Sequence, residues 1–203
     1  MPLLIENFVK DCISGIWEIK ETEAELLQLI SLSENDQKKL FSTRADKRRI
    51  EIIATRVLMK KIGIEEDIFY IGDAPFCKNG YISISHSKSL VTVIWNKNNK
   101  VAIDIEEIKD KLQYLADKVF SDEEIAFCNN DNKKLTIVWN CKETVYKIFG
   151  DKDLIFKTEI LVCPFSLDDS EITTIVKKDK IEKKYLLHFI DIKENTLCWC
   201  IDK

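Results

Sequence analysis

With 203 residues, 45% hydrophobic and 33% charged, the chain can form one large domain or two compact lobes of about 100 residues each, and three Pro and five Gly leave little room for disorder. A net charge of −4 argues against nonspecific nucleic-acid binding. No basic patch leads into an apolar run at the start, and no segment reaches the ~18 apolar residues of a membrane span, so a cytoplasmic protein is expected.

The apolar stretch from Ile13 to Ile19 is followed by Thr22-x-x-Glu25 ahead of Leu26, Leu27, Leu29 and Ile30, the signature of a capped helix start. A second helix is predicted between Arg44 and Ile62, where Ile50, Ile53, Ala54, Val57 and Leu58 keep the helical period and Gly63 suits the position beyond the end. Strands are predicted over Ile68 to Ile71, Tyr81 to Ser85 and Leu90 to Trp95, punctuated by Asn79-Gly80 and Asn98-Asn99. The second half follows the same order loosely. It reads as a strand from Val101 to Ile105, helices near 111–129 and 134–149 with Gly150 at an end, and strands near 154–163, 171–177, 184–192 and 196–202. Helices followed by antiparallel strands in each half predict two similar α+β lobes, 1–98 and 99–203, with a cleft between lobes as a natural ligand site.

Seven cysteines, odd in number and without a Cys-x-x-Cys, read as buried free thiols; Cys198 and Cys200 would share one strand face, with a metal or redox pair as the alternative to core packing. Asp104 and Glu106 alternate with Val101, Ile103 and Ile105, which puts both carboxylates on one strand face, roughly 7 Å apart, and the apolar residues in the core. Such a pair needs a cation, a shared proton or plain solvent. Glu143 adds a third candidate oxygen ligand on a helix whose buried side includes Leu135, Val138, Trp139, Tyr146 and Phe149; its ordinary alternative is a surface ion pair with Lys147 worth about 0.3–0.5 kcal/mol. Glu124 completes a capping box with Ser121, which does not exclude a second role.

Ser85-His86-Ser87 follows a strand directly. A Ser-His nucleophile is disfavoured because adjacent residues of an extended chain point apart, whereas hydroxyls and an imidazole there can hold phosphate oxygens. His188, inside an apolar run, reads as structural. Arg44 to Arg49 carries four cations in six residues, with Arg56 and Lys60 within ~20° of Arg49 around the helix; a solvated basic face is the alternative to anion binding.

Together the stretches Ile84-Ser85-His86-Ser87, Ala102-Ile103-Asp104-Ile105-Glu106, Phe120-Ser121-x-x-Glu124 and Trp139-x-x-Lys142-Glu143-x-x-x-Lys147 resemble the surfactin-synthetase-activating type of 4′-phosphopantetheinyl transferase, over about residues 44–160. The resemblance implies two pseudo-symmetric α+β lobes with coenzyme A in the cleft between them. It makes Asp104, Glu106 and Glu143 ligands of Mg²⁺ (or Mn²⁺) and assigns Lys147 and Lys142 to the coenzyme A pyrophosphate. Ser85 and His86, with Lys47 and Arg48 as helpers, become contacts to coenzyme A phosphate, and Glu124, or a metal-bound water, would take the proton of the acceptor serine.

The implied activity is holo-acyl-carrier-protein synthase, acting as a monomer on an apo acyl or peptidyl carrier protein and releasing adenosine 3′,5′-bisphosphate. Three departures from the family pattern stand out: Asp73-Ala74-Pro75 where Gly-Lys-Pro is usual, Ala102 for a Gly, and Thr144 for a smaller residue. The competing readings are a metal-dependent phosphohydrolase and a noncatalytic module that captures coenzyme A or a carrier protein.

Overall fold

The computed structural model describes residues 3–109 and 116–202, so the start of the helix expected near residue 111 lies outside the described residues. The protein is α+β, with two compact units, Met1–Val101 and Ala102–Lys203.

In the first unit, β1 (Leu3–Glu6), β2 (Ile13–Glu18), β5 (Tyr81–Ser87) and β6 (Leu90–Asn96) form a sheet in the order β1-β2-β6-β5, each neighbouring pair antiparallel. Across it lies α3 (Asp46–Lys61), whose Ile53, Ala54, Val57 and Leu58 pack with Trp17, Ile82, Val91 and Val93. The approach is close at β2. A methyl group on Gly15 would meet Leu58 Cδ1 at 2.9 Å and Ile62 Cγ2 at 3.0 Å, so a side chain at this strand position would have to displace the Leu58 and Ile62 side chains. A small hairpin of β3 (Phe69–Ile71) and β4 (Ala74–Phe76) contains the Asp73-Ala74-Pro75 stretch, with Asp73 fully exposed at its tip.

The capping box at Thr22 and Glu25 forms as expected and starts α1 (Glu23–Leu29). The next helix, α2 (Glu34–Ser42), has no strong apolar period to announce it. It is capped by Ser33 and pinned by a buried pair in which Asp36 accepts from the Arg56 guanidinium at 2.6 Å. The cations Arg49, Arg56 and Lys60 therefore do not form a solvated face. Arg49 binds Glu23 and the Leu40 carbonyl, Arg56 binds Asp36 and the Tyr70 hydroxyl, and Lys60 donates to the Leu29 carbonyl. All three fasten neighbouring segments to α3.

In the second unit, β7 (Lys100–Glu107, beginning at the end of the first), β8 (Ile160–Val162), β9 (Ile172–Lys178), β10 (Ile181–Ile192) and β11 (Asn195–Asp202) form a sheet in the order β7-β11-β10-β9-β8. Among the described residues, α4 (Ala116–Val119) and α5 (Asp122–Cys128) precede the long α6 (Asn132–Phe149), which lies on the sheet and ends at Gly150 in the left-handed conformation. The strand expected over 154–163 is instead a helical turn, α7 (Phe156–Glu159), followed by the short β8. In this turn the Glu159 carboxylate accepts from Ile155 N four residues earlier, and the buried Lys142 ammonium collects the carbonyls of Phe156 and Ile160, a long-range hold that local sequence does not display.

The thiols are free, with Cys128, Cys141, Cys198 and Cys200 buried in the core of this unit. Burial pushes Cys128 and Cys200 up to about 12, which suits packing rather than metal or redox chemistry. His188 stacks on Trp199 at 5.5 Å. No described helix is long and apolar enough to cross a membrane.

Candidate active site

The alternation in β7 places Ala102, Asp104 and Glu106 on one face, and Ala102 belongs to the core of the second unit. Ile103 and Ile105 are buried as expected, but so is Asp104, at 4% exposure. Plain solvation of that carboxylate is thereby ruled out. Three residues of α6, spaced four apart on one helical row, meet this face: Trp139, Glu143 and Lys147. At one end Trp139 Nε1 donates to Glu106 Oε1 at 3.2 Å; at the other Lys147 Nζ donates to Asp104 Oδ1 at 2.7 Å and to the Ile103 carbonyl at 3.0 Å. Lys147 thus pairs with Asp104 rather than making the helix-surface pair with Glu143.

The charges in this row are unbalanced. Burial first, then the neighbouring Asp104 and Glu106, push the Glu143 carboxyl up to about 7 against the opposing pull of Lys147. Burial and Asp104 raise Glu106 as well, opposed by the Trp139 N–H and by Lys147 and Lys109. Glu106 and Glu143, both raised beside Asp104, make with it a set of oxygen donors of the kind a hard divalent cation prefers, because such an ion removes the repulsion. Among the described residues no three His, Cys, Asp or Glu side chains are grouped so as to hold a metal ion; Lys147 holds Asp104 and Trp139 holds Glu106.

Glu124 and Lys142 lie elsewhere in the same unit and are enclosed. Lys142 is fully buried, its ammonium 2.8 Å from Glu124 Oε2 and also donating to Phe156 O and Ile160 O, which uses all three protons. Burial pulls the Lys142 pKa down and the Glu124 charge pushes it back. Glu124 accepts from Ser121 N at 2.8 Å, completing the capping box, and from Val162 N at 2.8 Å. With these partners Lys142 has no proton left to donate, and Glu124 is 1% exposed, so both are enclosed in this structure. The pair instead ties α5, α6, α7 and β8 together.

In the first unit, α3 and β5 bring Lys47, Arg48 and His86 together around Glu51, which the sequence reading missed. Glu51, 4% exposed, lies 3.7 Å from Lys47 Nζ, 3.1 Å from an Arg48 nitrogen and 3.5 Å from His86 Nδ1. The same Arg48 nitrogen contacts His86 Nε2. Arginine only donates hydrogen bonds, so in this contact His86 Nε2 is the accepting atom. The spacing of Glu51, three and four residues beyond Arg48 and Lys47, was the available signal. β5 runs through Ser87 rather than ending at Ser85, so His86 lies within the strand and Ser85 points to the opposite sheet face. The structure therefore groups His86 with Arg48 and Lys47 around Glu51.

A strand carrying carboxylates thus faces a helical row of indole, carboxylate and ammonium. Residues 100–199, just under half the chain, match the family model of the 4′-phosphopantetheinyl transferase superfamily. That stretch holds Asp104, Glu106, Glu143 and Lys147 and supports phosphopantetheine transfer in general. No curated protein matches the chain.

Proposed function

We propose that this protein transfers 4′-phosphopantetheine from coenzyme A to a serine of an apo acyl or peptidyl carrier protein, with Mg²⁺ or Mn²⁺, in the cytoplasm, as surfactin-synthetase-activating transferases do. The observation that supports this reading is the placement of Asp104 and Glu106 on β7 opposite Glu143 and Lys147 on α6, within the segment that matches the superfamily.

Asp104, Glu106 and Glu143 would hold the metal, which when bound neutralises charge on the pyrophosphate and on its departing oxygen. Lys147, with its side chain 29% exposed, can keep Asp104 oriented and extend its remaining proton to a pyrophosphate oxygen. In the first unit Arg48, Lys47 and His86 are the candidates for a phosphate of coenzyme A, oriented by Glu51. Glu124 and Lys142 act through the backbone they hold and touch neither reactant.

Incubation with coenzyme A, Mg²⁺ and a panel of apo carrier proteins, followed by intact mass, tests the proposal. A phosphopantetheine adduct on a carrier serine is expected. Cleavage of coenzyme A with no adduct would mark a phosphohydrolase, and binding without turnover a noncatalytic module; either would overturn it.

A further inference from the structure

Glu106 differs from the other two carboxylates in what holds it. Asp104 is fixed by a full charge, the Lys147 ammonium, whereas Glu106 is held by a neutral donor, the indole N–H of Trp139. A neutral donor orients a carboxylate without competing, as an ammonium would, for the place of an incoming cation. The indole is itself braced. Its ring stacks on Phe156 at 5.5 Å with 29° between planes, and Phe156 meets Tyr146 at 5.2 Å. Trp139 and Tyr146 are two turns apart on α6, so the Phe156 ring fits between them, and Lys142, on the same helix, holds the Phe156 carbonyl at 2.7 Å. One face of α6 therefore grips α7 by ring and by backbone, and the gripped ring limits how the indole can turn.

We infer that Trp139, braced by Phe156, is a positioning residue that presents Glu106 to the divalent cation. This rests on the carboxylate reading above. An indole held only by packing would need no acceptor at a carboxylate; here its single N–H is directed at one of the three acidic residues of the set. Neighbours that orient ligands typically change metal affinity about 10–100-fold when removed.

The test is Mg²⁺ binding by the full chain, followed by calorimetry and by the Mg²⁺-induced rise in melting temperature, with and without coenzyme A. Trp139→Phe keeps an aromatic ring against Phe156 and removes the N–H; Phe156→Leu keeps the N–H and removes the brace. Trp139→Phe is expected to weaken Mg²⁺ binding by about ten-fold or more. Its turnover should return at high Mg²⁺ with the KM for coenzyme A unchanged, which general loosening of the fold would not produce. Phe156→Leu should weaken binding less, and it decides the matter if Trp139→Phe fails to fold. Wild-type affinity in a folded Trp139→Phe overturns the inference while leaving the carboxylate site intact. A wild-type chain that binds no Mg²⁺ overturns the carboxylate reading itself.

Discussion

Lys147 Nζ lies 2.7 Å from Asp104 Oδ1, so the ammonium of a helix residue balances the most deeply buried carboxylate of a strand 43 positions earlier in the chain. That contact neutralises one charge of three. The remaining negative charge on Glu106 and Glu143 is what a divalent ion would relieve.

Asp104→Asn and Glu143→Gln should each lower transfer roughly 100-fold or more, because metal stabilisation of a phosphoryl transition state is worth several kcal/mol. Neither substitution opens a core cavity, so circular dichroism should show an intact fold. Near-wild-type turnover of both at limiting Mg²⁺ would remove the metal assignment.

A pH dependence follows from Glu143. Its folded pKa, about 7, stands above the ordinary 4.5, so the folded state binds the proton more tightly than the unfolded state does. The corresponding stability is fully present below about 4.5 and is lost as pH rises through about 7. Without metal, melting temperature should therefore fall as pH rises from 4.5 to about 7 and level off above that, where Mg²⁺ should restore most of the loss. Glu143→Gln should flatten the metal-free profile; an unchanged slope in that variant would show that another group titrates.

The enclosed pair Glu124 and Lys142 predicts a structural phenotype. Lys142→Met strands a buried carboxylate, at a cost of about 3–5 kcal/mol, and should lower the melting temperature on the order of 10 °C. Whatever folded protein remains should keep its KM for coenzyme A. A large rise in that KM with little change in melting temperature would return Lys142 to the pyrophosphate.

The Arg48, His86 and Glu51 group predicts discrimination by phosphate. Arg48→Ala should raise the KM for coenzyme A several-fold but leave that for 3′-dephospho-coenzyme A nearly unchanged, because only the former carries the extra anion. Equal effects on both would place the 3′-phosphate elsewhere.

Much of this architecture is written in local pattern. Both capping boxes depend on residues three apart, and the helical periods of α3 and α6 and the alternation of Asp104 with Glu106 in β7 are properties of single segments. Those segments were legible for that reason, and the acidic residues with Lys147 could be singled out before any contact was known. Tertiary structure decided what charge alone leaves open. A lysine or arginine reads as exposed until a buried partner is found, and Arg56 with Asp36, like Lys142 with Glu124, is buried only because distant segments deliver the partner. The hold of Lys142 on the Phe156 carbonyl, the arrival of His86 beside Arg48 and Glu51, and the indole bond from Trp139 to Glu106 likewise join residues that no local period connects. The candidate ligands were therefore set by the sequence, whereas the partners that orient them exist only in the folded chain, where burial makes each charge depend on its neighbours.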